Sequence, residues 1–345
     1  MKEHKNIIGV GGSIHDFSSC LIQDGNLKYY LEDERIVRKK HAYYPGMTEL
    51  MYYNAADICL EDNELTFKDI DLVVGNDILS SFYCKRIKKS VTEFKSINHH
   101  LAHSSSAFYP SSFDEAAILT IDGGGNEFTH EDGENKIEVC SLGVGCGKEI
   151  NLLKVQKGIR LKAKQFENKI DPVINSLGGF YGAATYASGF TFHEEGKTMG
   201  LAPYGTSRYL KELMEYITLE NGGIFKFSLA GLNYLYQFRK IWEKEKDQEK
   251  QFSYRADIAY AAQFITEKAL IHVAEYLREL TRSENICLAG GVILNSVANY
   301  KLYKAGLFKN YFIQPAAGDN GTSIGAAYYG WHVIMNQDRQ IKGGS

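Results

Sequence analysis

NHHLAHSSSAFYPSSFDEAAILTIDGGGN, running from Asn98 to Asn126, is the stretch on which the reading of this chain turns. It sets His99 and His103 four residues apart, then continues into an apolar run that ends in Asp122 and three glycines. On a helix that spacing puts both rings on one face, which a metal ion needs if one helix is to supply two ligands. The apolar run reads as a strand, and the glycines as a turn in which backbone N–H groups can approach a ligand. The stretch reads as half of a metal site joined to a phosphate loop, the alternative for the histidines being a structural cap or a surface pair.

The N-terminus shows the same logic. Residues 7 to 32 read IIGVGGSIHDFSSCLIQDGNLKYYLE: two β-rich runs flank a glycine-serine loop, and Asp24-Gly25-Asn26 marks a hairpin to a third. His15, Asp16, Ser18 and Ser19 crowd the loop after Gly11 and Gly12. That loop is either a phosphate or substrate loop or a turn whose Asp and Ser satisfy backbone donors. Between the two copies, the charged run EDERIVRKKH reads as a solvated face or as a source of anion contacts, and residues 48 to 62 as helical. Ile70 to Gly75 reads as a strand, CKRIKK as a small basic patch, and Lys95 to Ile97 as a strand leading into the histidine helix.

Beyond Asp122 come polar strands (KIEVCSLGV, INLLKVQKG), a helix of small residues around Gly178 to Ala187, and Lys197 in EGKTMGLAPYG. Residues 206 to 252 give little signal. Apolar residues at Ile258, Ala262, Ile265, Ala269, Val273 and Leu277 predict an amphipathic helix over 253 to 282. NICLAGG is then a strand turning at Gly290-Gly291 into the helix VILNSVANYKLY, a place where N–H groups and a helix dipole can meet a nucleotide. FIQPAAGDNGTSIGAAYYGWH repeats strand, turn and helix, with Asp319 in the turn. Two copies of strand, glycine loop and antiparallel strands predict an α/β duplication: a two-lobed nucleotide-binding fold of the actin, sugar-kinase and heat-shock-chaperone kind. An N-terminal lobe over 1–115 and a C-terminal lobe over 116–345 would enclose the cleft.

His99, His103, Asp122 and Asp319 make a mixed nitrogen and oxygen site suited to Fe(II), Mn(II) or Zn(II), and too rich in nitrogen for calcium. His100, offset on the helix, is left out of it. The 345 residues, 44% hydrophobic, are enough for two cores. A formal net charge of −3 gives no global field to hold a nucleic-acid backbone. The N-terminal apolar run is too short for a signal-peptide core and no later stretch matches a membrane span, so the expectation is a soluble, cytoplasmic protein without a membrane partner. Six cysteines without a C-x-x-C pair read as reduced and structural.

The HD loop, the run ending RKKH, HHLAH with SAFYPSSFDEAA, IDGGG, GKTMGLAPYG, CLAGGVILNSVAN and IQPAAGDNGTSIGAA stand in order along nearly the whole chain. With them the sequence resembles the N-terminal domain of the O-carbamoyltransferases that decorate antibiotics and nodulation factors. It is also similar to the threonylcarbamoyl transferases that modify tRNA. The resemblance implies an iron-like metal on His99, His103, Asp122 and Asp319, in contact with the phosphate of a carbamoyl-adenylate. It implies nucleotide contacts at Gly124, Gly290, Gly291 and Asn295, anion contacts at Lys39 and Lys197, and an acceptor side at His15 and Asp16. The implied reaction is carbamoyl transfer to a hydroxyl of a small molecule, with His15 as the base. Family members usually continue into an adenylate-forming C-terminal domain, and this sequence stops before one. Either a separate protein makes the carbamoyl-adenylate, which is the favoured expectation, or the chain is an excised fragment, or it has lost the complete reaction. The rival readings are a tRNA threonylcarbamoyl transferase, which would bind tRNA at physiological salt, and a non-catalytic nucleotide-binding subunit, which would bind ATP or AMP without transfer.

Overall fold

The computed structural model describes residues 4–43, 46–129, 135–162 and 172–339. Strands β1 (Asn6–Gly11), β2 (Ser18–Gln23) and β3 (Asn26–Glu32) run antiparallel. On the other side of β1, β4 (Leu72–Asn76) and β5 (Phe94–Ile97) add in parallel, giving the order β3-β2-β1-β4-β5. The Asp24-Gly25 turn has φ of 48° and 79°, and two positive values suit a two-residue hairpin because they match the right-handed twist of its strands. All six residues of β1 are buried, as in a strand covered on both faces.

The pattern then recurs. β6 (Glu115–Ile121), β7 (Glu127–Thr129), β8 (Asn135–Cys146), β9 (Glu149–Arg160) and β10 (Val173–Ile174) open a second sheet, with β6, β8 and β9 antiparallel to one another in turn. A separate hairpin of β11 (Ile217–Glu220) and β12 (Ile224–Phe227) follows, and then β13 (Asn285–Ala289) and β14 (Asn310–Ile313) add in parallel beside β6. The order β9-β8-β6-β13-β14 repeats the first sheet strand for strand, with β7 on β8 and β10 on β9 as additions. The predicted duplicated two-lobed α/β fold is the observed one.

The two sheets exchange their closing helices. Helix His99–Phe108 follows β5 but lies on the second sheet, against β6 and β13. Helix Thr322–Tyr329 follows β14 but lies on the first, where Ile324, Ala327 and the following Trp331 pack on Ile7, Ile22, Leu72 and Val74. The two helices cross where there is room only for glycine: a Cβ on Gly325 would fall on the carbonyl oxygen of Ala102.

The larger core lies under the second sheet around the 34-residue helix Gln248–Thr281. This helix starts before the apolar periodicity does, because Asp247 caps it by accepting from the N–H groups of Glu249 and Lys250. It ends at Arg282, whose φ is 56°. The segment 206 to 252, quiet in sequence, supplies that core with Phe225, Phe227, Leu232, Leu235, Phe238 and Trp242. All six cysteines are free, and only Cys146 is exposed. No helix among the described residues is long and apolar enough to cross a membrane.

One member of the charged run is not solvated. Asp33 is fully buried, accepting from the Tyr83 hydroxyl at 2.5 Å and the Ala55 N–H at 2.7 Å. Burial pushes its carboxyl up to about 7 against those two bonds. A carboxyl raised on folding stabilises fully below its unfolded value near 3.8 and loses that contribution as pH rises through about 7. Asp33→Asn should therefore flatten the decline in stability between pH 4 and pH 7, by on the order of 3 kcal/mol at the upper end. Urea unfolding of both proteins across that range measures it, and parallel pH curves would refute it.

Candidate metal centre and cleft

Helix His99–Phe108 is fixed at its first turn. The Asn98 side chain accepts from the Leu101 N–H at 2.9 Å and donates to Glu138 of β8 at 2.9 Å, while Asn126 accepts from the His99 N–H at 3.2 Å. Every residue of the helix except Leu101 is buried, so both histidine rings point into protein. Asp122 ends β6, with Oδ1 accepting the Gly291 N–H at 3.0 Å and Oδ2 left facing the rings. Asp319 stands in the turn after β14. That turn is tied to the first lobe, because Thr322 Oγ1 donates to the Asp319 carbonyl at 2.5 Å and accepts from the Gly12 N–H at 3.0 Å.

His99, His103, Asp122 and Asp319 therefore meet, each offering one donor atom within 4.8 Å of the others. The two Nε2 atoms are 3.1 Å apart, His99 Nε2 is 3.4 Å from Asp122 Oδ2, and both Nε2 atoms are 3.5 Å from Asp319 Oδ1. Metal bonds of about 2.1 Å put neighbouring donors about 3.0 to 3.4 Å apart, from octahedral to tetrahedral angles, so the residues fit a first-row divalent ion. The charges ask for a cation too. Burial opposes an imidazolium at His99, yet the Asp319 and Asp122 carboxylates outweigh it and raise His99 to about 10. Burial and the mutual repulsion of the carboxylates are likewise overcome by the histidines, which hold Asp122 low and Asp319 well below the usual range. Nδ1 of each ring is buried without a partner among the described residues. His100 turns away to Ser141 Oγ at 2.7 Å, and burial, then the neighbouring histidines, lower it to about 3.

Asp122 and Asp319 open onto a cavity of about 770 Å³. His15 and Asp16 line the same cavity, as do Gly124, Gly291 and Asn295. Gly290 lies behind it: its φ is 99°, and a Cβ there would meet the Ile121 carbonyl, so strand packing already requires the glycine. The Gly291 N–H is taken by Asp122. The Asn295 amide is paired twice with Gln263, at 2.8 and 3.2 Å. Lys39 is exposed and Lys197 pairs with Glu194, and neither lines the cavity. Its cationic lining comes instead from Lys40 and from Arg160, which pairs with Glu127 at 2.8 Å. Gly178 is close-packed, since a Cβ on it would meet the backbone of Gly123 at 2.7 Å; the small-residue helix Leu177–Ala187 thus starts against the glycine loop. Sequence reading missed Arg160, Tyr181, His193 and Glu195 in the lining. The one local signal was His193-Glu194-Glu195 ahead of a glycine-lysine turn.

The family described as Carbamoyltransferase N-terminus matches residues 76–328. An uncharacterized protein of Synechocystis sp. (strain PCC 6803) is 31% identical over 98% of the chain and 58% of the relative. Nodulation protein NolNO of Sinorhizobium fredii is 28% identical over 94% of the chain and 48% of the relative. The chain thus spans about half the length of these curated relatives. Among solved structures, full-length HypF in its phosphate- and nucleotide-bound form shares the fold, with a TM-score of 0.56 at 15% identity over 94% of this chain and 55% of that one.

Proposed function

The chain belongs to the Carbamoyltransferase N-terminus family, and on that premise we propose that it moves a carbamoyl group from carbamoyl-adenylate to a hydroxyl of a small-molecule acceptor. The observation that carries this reading is one cavity lined both by Asp122 and Asp319, the two carboxylates of the buried cluster with His99 and His103, and by the pair His15 and Asp16. An Fe(II), Mn(II) or Zn(II) ion on the four side chains would supply Lewis-acid stabilisation of charge on the leaving phosphate.

The chain's own residues do the rest. Asp16 Oδ2 lies 2.9 Å from His15 Nδ1, so a proton on Nδ1 leaves Nε2 as the base. His15 takes the proton of the acceptor hydroxyl as its oxygen bonds to the carbamoyl carbon. The bond from that carbon to the phosphate oxygen breaks, and AMP leaves with the electron pair. Gly123, where a Cβ would meet nothing within 4 Å, and the start of helix Leu177–Ala187 give the nucleotide close backbone approach. Arg160 and Lys40 offset the negative charge of the nucleotide. The nucleotide in the HypF structure is further support for a nucleotide on this fold.

The test supplies enzymatically made carbamoyl-adenylate and a panel of sugar and amino-polyol acceptors to the metal-loaded protein, and reads carbamoylated product by mass. His15→Ala should lower the rate by at least about 100-fold with metal content unchanged. A near-wild-type rate in that variant would remove the base from the reading. Binding of AMP with no product from any acceptor would favour a non-catalytic subunit.

A further inference from the structure

Asp16 carries one histidine on each carboxylate oxygen. Beyond His15 on Oδ2, His41 Nδ1 lies 2.8 Å from Oδ1. The other nitrogen of His41, Nε2, lies 3.2 Å from the carbonyl oxygen of His193. A carboxylate and a carbonyl are both acceptors, so only a ring protonated at both nitrogens satisfies the two contacts. The backbone is committed to the same arrangement. The Asp16 N–H donates to the His41 carbonyl at 2.8 Å, and the His41 N–H donates to Glu34 Oε2 at 2.8 Å. Asp16, His41 and His193 have φ of 54°, 64° and 64°, left-handed values that side chains other than glycine seldom adopt and that persist where the surroundings fix them.

We propose that His41 is a positioning residue, a permanently protonated clamp that holds Asp16 and, through it, turns the His15 ring toward the acceptor side of the cleft. The proposal rests on His15 acting in transfer, as above. Its charge matters as well as its shape. Asp16 is already paired by an imidazolium, so only part of its field falls on His15. The groups facing the pair are Glu34 from helix Asp33–Val37, itself paired with Arg35, Lys40 beside His41, His193 and, at the start of helix Glu195–Leu201, Glu195 across the cleft, and Asp122 and Asp319 of the metal cluster. The hydrogen bond and charge of Asp16 raise His41 despite its burial. His193, lowered to about 4 by burial and then by His15 and His41, stays neutral and does not compete for the carboxylate.

Two measurements on the full chain decide it. In imidazole nitrogen spectra of the wild-type protein, His41 should show both nitrogens protonated throughout pH 6 to 8; a neutral tautomer at pH 7 overturns the proposal. In His41→Gln, which keeps a neutral donor of similar reach, the His15 titration midpoint should rise by about half a unit or more as the Asp16 charge falls on it alone. The acid limb of the transfer rate should move up with it, while the high-pH rate stays within about threefold. An unmoved midpoint in a folded variant also overturns the proposal. Absence of transfer in the wild type would sink the functional reading instead, and leaves both spectroscopic outcomes decisive for His41.

Discussion

His103→Ala is expected to strip the divalent metal from the protein and to lower carbamoyl transfer by at least about 1,000-fold. The four donors are one cluster, and no other side chain among the described residues joins it. Removing one imidazole leaves Asp319 with a single histidine partner in a buried site, and its remaining negative charge is answered by a proton on His99 rather than by an ion. The helix should survive, since its cap at Asn98 does not involve this ring. Elemental analysis of the purified variant against wild type, alongside transfer with the donor supplied, measures both effects. Full metal occupancy with transfer intact would show that His103 is not a ligand the site requires.

Gly325→Ala is expected to cost about 3 kcal/mol of stability, the scale of an overpacked core, and to weaken metal binding as a consequence. The new Cβ meets the Ala102 carbonyl oxygen and, at 2.6 Å, the Ser106 nitrogen, both backbone atoms of a buried helix that cannot swing aside. His103 sits between those two residues and its Nε2 is 3.5 Å from Asp319 Oδ1, so a displacement of either helix that relieves the clash disturbs that distance. Gly200→Ala is the matched control. It lies in helix Glu195–Leu201 with nothing within 4 Å of its would-be Cβ, and there the change should gain up to about 1 kcal/mol. Denaturant midpoints of the two variants should therefore move in opposite directions, and equal shifts would contradict the close-crossing account.

Much of this was legible because it is local. The period of the apolar residues marked the strands, Asp24-Gly25 marked its own turn, and a four-residue histidine spacing marks a shared face wherever a helix forms. What the sequence could not disclose is set by distant pairings. Lys39 and Lys40 are equivalent on paper, and only the path of the chain through His41 turns the second toward the cavity. Asn295 reads as a free amide until Gln263, more than a helix away in sequence, takes both of its ends. Asp33 sits in a charged run and is buried because Tyr83 and Ala55 close over it. The residue that clamps Asp16 was visible only as the last letter of a basic tetrapeptide.

The exchange of closing helices also bears on the order in which the chain can become folded as it is synthesised. The face of the first sheet formed by Ile7, Ile22, Leu72 and Val74 is covered by Ile324, Ala327 and Trp331. Those strands are made about 250 residues before their cover, so the first sheet leaves the ribosome with one apolar face bare. Contacts of such long sequence separation are slow to form, and exposed sheet faces are sites of aggregation. The nascent first sheet thus has need of a chaperone until helix Thr322–Tyr329 and Trp331 emerge.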